Sequence, residues 1–257
     1  MIDITVYIVF HSEGVLAIPA LSSMHRLVEV AKIAGLSVES KALMDNPDTQ
    51  TSAIIEKRGN WLDSVEILSY GDLGLTRNAG VTLAKGTYIT FLDGDDLWGS
   101  QWLVLAHAAA IQEPANAKSI WHPESLFYFY YDDFDRHSIN RIPHSHAKSF
   151  HFFHKGSDTP NFDRNVLFLD NLWSANCFAH REIYEKYTYK AVDKSLGLGI
   201  EDWAWNIKTL WDGVEHKVCH DTVHIIRQKD TGSLGQSNTA NGLLPHLPDN
   251  IFPVVGK

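Results

Sequence analysis

Gly86-Thr87-Tyr88-Ile89-Thr90-Phe91-Leu92-Asp93-Gly94-Asp95-Asp96 is the stretch on which the reading of this chain turns. Thr87 to Leu92 are β-branched, aromatic and aliphatic residues, the composition of a strand inside a sheet. Three carboxylates follow at its carboxyl end. Like charges this close repel one another unless a cation sits among them. A solvated turn or helix cap is the common alternative for an Asp-rich turn, but it leaves that repulsion beside a buried strand. In open α/β sheets, ligands bind outside the carboxyl ends of strands, which is where Asp93 to Asp96 fall.

Outward from this stretch, strand and helix patterns alternate. Upstream, Ile4 to Phe10 is a nearly continuous apolar run, as expected of a strand buried on both faces. Helical spacing follows over Gly14 to Ala34, then an apolar run over Val38 to Met44 that reaches the turn cluster Asp45-Asn46-Pro47-Asp48. A polar helix is expected near Thr51 to Lys57 and a strand at Ser64 to Leu68. Asp72 is placed to cap a helix carrying Leu75, Ala79, Leu83 and Ala84, with Gly86 as its stop. Downstream, a helix runs from beyond Gly99 to about Ile111, and strands are expected at Ser119 to His122 and Leu126 to Tyr131. Asp132 to Asp170 has no clean periodicity. Arg181 to Tyr187 and Ile200 to Trp211 read as helices, Thr222 to Arg227 as a last strand, and the residues after Asp230 as a loop and tail. The pattern predicts an α/β fold with a mostly parallel central sheet flanked by helices.

The chain carries a formal net charge of −9, so it has no basic field to attract a polyanion, and nucleic acid is excluded as a first partner. An acidic protein that binds a phosphorylated ligand needs a divalent cation to offset the repulsion. Cys177 and Cys219 give no zinc-site spacing and read as core residues in a reducing compartment. The N-terminus lacks the features of a signal peptide, and Trp102 to Ile111 is too short to span a bilayer. The expectation is a cytoplasmic protein, with peripheral contact at the inner face of the membrane if its substrate is membrane-bound.

Gly71-Asp72-Leu73-Gly74-Leu75-Thr76-Arg77-Asn78-Ala79-Gly80, followed by Ala84-Lys85-Gly86 and the strand into Asp93-Gly94-Asp95-Asp96, resembles the core of family 2 glycosyltransferases. The shared pattern is an Arg-Asn-x-Gly helix, an Ala-x-Gly turn, an apolar strand and an Asp-x-Asp motif, matched in order over about 25 residues. Weaker similarity runs from Ile4 to roughly Gly235. The resemblance implies a single GT-A (Rossmann-like) domain over 1–257: a nucleotide-binding half to about residue 98, an acceptor-binding half over 99–235, and a tail over 236–257. It also implies inverting, metal-dependent transfer from a nucleotide-diphosphate sugar to a hydroxyl of a glycan or lipid-linked acceptor. A UDP-sugar is the expected donor and Mn²⁺ or Mg²⁺ the expected cofactor.

By the same resemblance, the loop after the first strand contacts the nucleotide base. His11-Ser12-Glu13 occupies it, with His11 in place of the family's usual Asn, and Glu13 joins the site. Asp45 contacts base or ribose, although Asn46-Pro47-Asp48 replaces the usual Asp-Gly-Ser. Asp93 contacts ribose or a metal-bound water, and Asp95 ligates the ion, consistent with the preference of these ions for hard oxygen ligands. Arg77 offers a charge-assisted contact near the diphosphate, or is an ordinary helix-surface arginine.

Gly199-Ile200-Glu201-Asp202-Trp203 resembles the family's Glu-Asp motif at the head of an acceptor-side helix. Acidic residues also favour helix N-termini for dipole reasons alone. Inverting transfer needs a carboxylate base, and Asp202 is assigned to it, with Glu201 as the fallback or as an acceptor-orienting group. Trp173 lines the sugar site or packs in the core. His224 completes the metal shell or is structural. Arg227, with the loop at Gly232 to Gly235, closes over the diphosphate or is a passive turn. His144-x-His146 and His151-x-x-His154 lack companion ligands at zinc spacing. The rival readings are a phosphohydrolase of the haloacid dehalogenase type, with Asp93 as nucleophile, and a catalytically silent GT-A module that binds carbohydrate.

Overall fold

The computed structural model describes residues 1–114, 118–130, 148–230, 234–248 and 251. Its organising strand is β1 (Ile2–Phe10), which pairs in parallel with β2 (Val38–Asp45) on one side and β4 (Gly86–Asp93) on the other. Alternate side chains of β1 enter two different cores, as the two-residue period of a strand requires. Ile4, Val6, Ile8 and Phe10 join one cluster with α1 (Ala17–Ile33) and α4 (Trp102–Ala110). Tyr7 and Val9 join the other with α3 (Leu73–Leu83), α5 (Arg181–Lys186) and α6 (Glu201–Trp211). Burial on both faces accounts for the unbroken apolar run in the sequence.

The sheet continues outward through β3 (Ser64–Leu68) beyond β2, and through β8 (Phe178–His180), β6 (Ile120–Tyr130), β10 (His216–Gln228) and β5 (Leu97–Trp98) beyond β4. β7 (Phe150–Phe153) pairs with β6. β8 runs antiparallel to both β4 and β6, so β6 and its parallel partner β10 point the same way as β4. The carboxyl ends of β1, β2, β4, β6 and β10 therefore share one edge of the sheet. β1 and β4 meet there at the switch in strand order, the position at which such sheets bind ligands.

Helix α2 (Thr49–Arg58) is capped by Asp48, and α3 by Asp72, whose carboxylate accepts from the Leu75 amide at 2.9 Å. The helix ends at Leu83, and Gly86 opens β4 instead of stopping α3. The two strands expected at Ser119 to His122 and Leu126 to Tyr131 are one strand, β6. Pro123 is accommodated because it faces Cys219, next to a register shift in β10. The last strand is twice its expected length for the same reason: a bulge joins two runs.

The expectation of a loop and tail after Asp230 is corrected. Leu234–Ala240 is a helix, α7, and β11 (Leu244–Pro245) pairs with β9 (Leu198–Gly199) immediately before α6. Beyond the helix, Leu243 is buried against Gly199. Residues 131–147, which include His144 and His146, lie outside the described residues. Both cysteines are free and buried. No helix among the described residues is long and apolar enough to cross a membrane.

Behind α6 lies a buried histidine layer. His122 Nε2 and His216 Nδ1 are 2.9 Å apart, and His216 Nε2 is 2.9 Å from Thr209 Oγ1. Trp173 stacks on His216 with ring centroids 4.1 Å apart, and His154 meets the edge of His122. Burial lowers all three imidazoles, His154 to about 4 and His216 to about 3. Unfolded histidine titrates near 6.5, so below that pH the unfolded chain binds protons that the folded chain refuses. The stabilisation from neutral His216 is complete above pH 6.5 and is lost as pH falls toward 3. Carboxyls with raised pKa act in the opposite direction, so the histidine contribution is read as a difference. The stability gap between wild type and His216→Phe in urea unfolding should narrow steadily from pH 7 to pH 4.

Candidate active site

The acidic turn is forced into shape by Gly94. A β-carbon there would lie 2.4 Å from Phe10 Cδ1 and 2.6 Å from the Val9 carbonyl oxygen, so only glycine lets the turn lie against the end of β1. The Asp96 amide donates to the Asp93 carbonyl at 3.1 Å and closes the turn. The three carboxylates then diverge. Asp93 accepts from Arg77 at 2.9 Å, and Asp95 Oδ2 is 2.5 Å from Lys229 Nζ. Asp96 turns inward, accepts from the Arg227 amide at 2.8 Å, and approaches His224 Nε2 at 3.4 Å. Burial pushes the Asp96 carboxyl up, against the pull of His224, and the charges of Asp95 and Asp93 add to the rise.

Arg77 is not a surface residue. It is completely buried, with Nη1 donating to Glu201 Oε1 at 2.8 Å and Nη2 to Asp93 Oδ1. Burial opposes its charge, but Asp93 and Glu201 outweigh that and hold the guanidinium protonated. The rest of the Arg-Asn-x-Gly pattern has equally local causes. The Asn78 amide bonds both the backbone N–H and the carbonyl of Tyr189, each at 2.9 Å. Gly80 leaves room for Leu43 and Phe91, and its carbonyl accepts from the Tyr7 hydroxyl at 2.6 Å. This helix is thus bolted to β1, to β4 and to the chain before α6.

Glu201 and Asp202 open α6 behind Ile200, a β-branched residue in the left-handed region (φ 56°, ψ 68°). A non-glycine residue there is strained, and such strain concentrates where a side chain must be aimed. Asp202 Oδ2 accepts from Asn171 Nδ2 at 2.9 Å, and Asn171 Oδ1 accepts from Asn206 at 2.9 Å. Burial pushes the Asp202 carboxyl above the usual range despite Arg77, the Trp203 amide and Asn171, and Asp93 contributes to the rise. Glu201 is also raised, by burial and by Asp202, while Arg77 pulls it down. Sequence reasoning missed the roles of Asn171, Asn206 and Lys229, because uncharged or terminal polar residues carry no spacing signal.

Two residues whose sequence readings were open are buried. Trp173 does not line an open site: its ring is buried between Phe162, His122 and His216, and its indole N–H donates to the Lys155 carbonyl at 3.0 Å. His224 is fully buried beside Asp96 and Asn176, so it anchors the inward carboxylate rather than joining Asp95. Among the described residues, no three His, Cys, Asp or Glu side chains converge as a metal cage.

The remaining candidates line the same edge. His11 is exposed, with Nδ1 2.6 Å from the Asp45 carbonyl, and its amide donates to Glu13 Oε2 at 2.7 Å. Asp45 is buried, and its carboxylate accepts from the amides of Tyr70, Gly71 and Asp72, so it holds the loop into α3. Glu13 is raised by burial and also by Asp95, which places it in the field of the acidic turn. Arg227 Nε reaches the Asp95 carbonyl at 3.4 Å. This donor set fits a small divalent cation. Asp93 and Asp95 offer oxygen ligands only, an ammonium already stands against Asp95, and two carboxylates suit an ion that completes its shell with water and phosphate oxygens.

No family model matches the sequence, and no curated protein sequence matches it. Solved structures do match the fold. S. aureus TarS 1-349 in complex with UDP-GlcNAc aligns with a TM-score of 0.61 at 16% identity over 90% of this chain. The mannosyltransferase PcManGT from Pyrobaculum calidifontis, in complex with GDP-Man and Mn2+, aligns with a TM-score of 0.56 at 14% identity, also over 90%. This chain spans 60% of the TarS fragment and 58% of the mannosyltransferase. The chain has the α/β fold of GT-A glycosyltransferases, with a mostly parallel sheet flanked by helices.

Proposed function

We propose that the protein is an inverting glycosyltransferase that moves a sugar from a nucleotide-diphosphate donor, a UDP-sugar, to a hydroxyl of a glycan or lipid-linked acceptor. The observation that carries this reading is the Arg77 bridge. One buried guanidinium holds Asp93 of the acidic turn and Glu201 at the head of α6, residues far apart in sequence, on the two sides of one site. Binding of UDP-GlcNAc by TarS and of GDP-Man by the mannosyltransferase supports the donor class.

In this reading Asp95 and Asp93 would hold Mn²⁺ or Mg²⁺. When bound, the ion would supply neutralisation of the charge on the departing diphosphate. Asp202 removes the proton of the acceptor hydroxyl as that oxygen attacks the anomeric carbon from the face opposite the diphosphate. Its raised pKa makes it a stronger base than a free aspartate, and Asn171 fixes the direction of its carboxylate. Glu201 serves as the counter-charge that keeps Arg77 in place, and the exposed His11 ring faces the nucleotide base. The phosphohydrolase reading is disfavoured because Asp93, its nucleophile, is ion-paired to a buried arginine. A silent module is disfavoured by the raised, hydrogen-bonded Asp202.

The direct test is thermal shift with nucleoside diphosphates and Mn²⁺. A ligand at a hundredfold excess over its Kd adds about 2.7 kcal/mol of stability. UDP with Mn²⁺ should raise the Tm more than GDP with Mn²⁺, and the absence of a shift with every nucleoside diphosphate would overturn the proposal. Asp202→Asn should lower kcat by about 10²- to 10⁴-fold with nucleotide affinity unchanged. The base must be deprotonated, so wild-type kcat should fall as pH drops through a pKa above the ordinary aspartate range. Arg77→Met leaves Glu201 buried without a partner and should cost about 3–5 kcal/mol in unfolding measurements. Adding Glu201→Gln should recover part of that loss in a double-mutant cycle.

A further inference from the structure

Asp93 and Asp95 of the acidic turn each have a cation, but the two cations differ in kind. Arg77 is sealed in the core, held at both ends and unable to leave. Lys229 follows the last residue of β10, is about one quarter exposed, and meets Asp95 Oδ2 through the end of a flexible four-carbon stem. Its charge also acts on Glu13, which Asp95 pushes up and Lys229 pulls down, so the ammonium lies in the field of both acids. The backbone beneath it is fixed, because the Arg227 amide is bonded to Asp96 and Arg227 Nε to the Asp95 carbonyl.

We infer that Lys229 is an exchangeable, tethered cation: it neutralises Asp95 in the donor-free protein, yields that carboxylate to the divalent ion, and then turns to the donor diphosphate. The inference rests on the glycosyltransferase reading and extends it. An ammonium and a divalent ion on one carboxylate repel each other, and of the two cations on the turn it is the partly exposed Lys229, not the sealed Arg77, that has room to withdraw as the ion takes Asp95. Its stem is anchored at the end of β10, so the displaced ammonium stays at the mouth of the site. The diphosphate is the anion that then lies within its reach. One residue therefore opposes metal binding in the absence of donor and favours donor binding once the metal is present. Such coupling makes the ion and the donor arrive together.

The test is a pair of titrations on the full chain with Lys229→Met, read as binding and not as turnover. Mn²⁺ titrated alone, followed by its electron paramagnetic resonance signal, should bind the variant about tenfold more tightly than wild type. UDP titrated calorimetrically at saturating Mn²⁺ should bind about tenfold more weakly. Lys229→Arg keeps the charge and should stay within about threefold of wild type in both. Because the pair is partly exposed, the variants should keep wild-type circular dichroism and near wild-type Tm. Affinities that are unchanged, or that move in the same direction, overturn the exchange while leaving the glycosyltransferase reading intact. A wild-type protein that binds neither Mn²⁺ nor UDP overturns that reading and the exchange with it.

Discussion

The guanidinium of Arg77 is the constraint around which the site is built. A fully buried positive charge is tolerated only when opposite charges and hydrogen bonds replace the water it has lost. Here the replacements are Asp93 and Glu201, one at the end of a central strand and the other at the start of α6. Each partner gains as well: Glu201 is nearly buried, and without Arg77 it would carry its charge into an apolar setting. The two halves of the site are held by mutual need, because the two buried groups, Arg77 and Glu201, each replace water that the other has lost.

That arrangement also divides the labour among carboxylates that look alike in sequence. Asp96 faces inward and, with His224, secures β10 to the turn. Asp93 faces the core arginine. Asp95 faces the ammonium of Lys229. Asp202, next to the structurally committed Glu201, is steered by two asparagines and raised by burial. Proximity in sequence therefore says little about role; the direction in which each side chain leaves the backbone decides it.

The strand-helix alternation and the acidic turn were legible because they rest on local rules. An apolar run flanked by caps and turns needs no tertiary information, and Ser64–Leu68 and the Asp72 cap are found where they were expected. What depends on packing was not legible. The sequence leaves Trp173 open between lining a sugar site and packing in the core, and only its stacking on His122 of β6 and His216 of β10 makes it a core ring. Arg77 was read as a surface or ligand-binding residue, because no pattern within α3 reveals that the helix's inner face meets two distant acids. The helix at Leu234–Ala240 is not legible because seven residues rich in Gly, Ser, Asn and Thr show neither helical periodicity nor helix propensity.

The two halves of the site are attached to the fold by different physics. The acidic turn is set by backbone register: Val9 lies opposite Asp93, and Gly94 is pressed against the end of β1, so its geometry follows from the sheet itself. The head of α6 is not attached to the central sheet by backbone pairing. It is held by side chains, through Arg77 to Glu201 and Asn171 to Asp202, and by the strained Ile200 that the pairing of β9 with β11 keeps in place. Strain of this kind costs about 1–3 kcal/mol and persists only where surrounding contacts over-determine it. The residues that close that end of the chain are therefore part of the support for Asp202. The acidic-turn side of the site is rigid by construction, whereas the α6 side is rigid only as long as its network of side chains is complete.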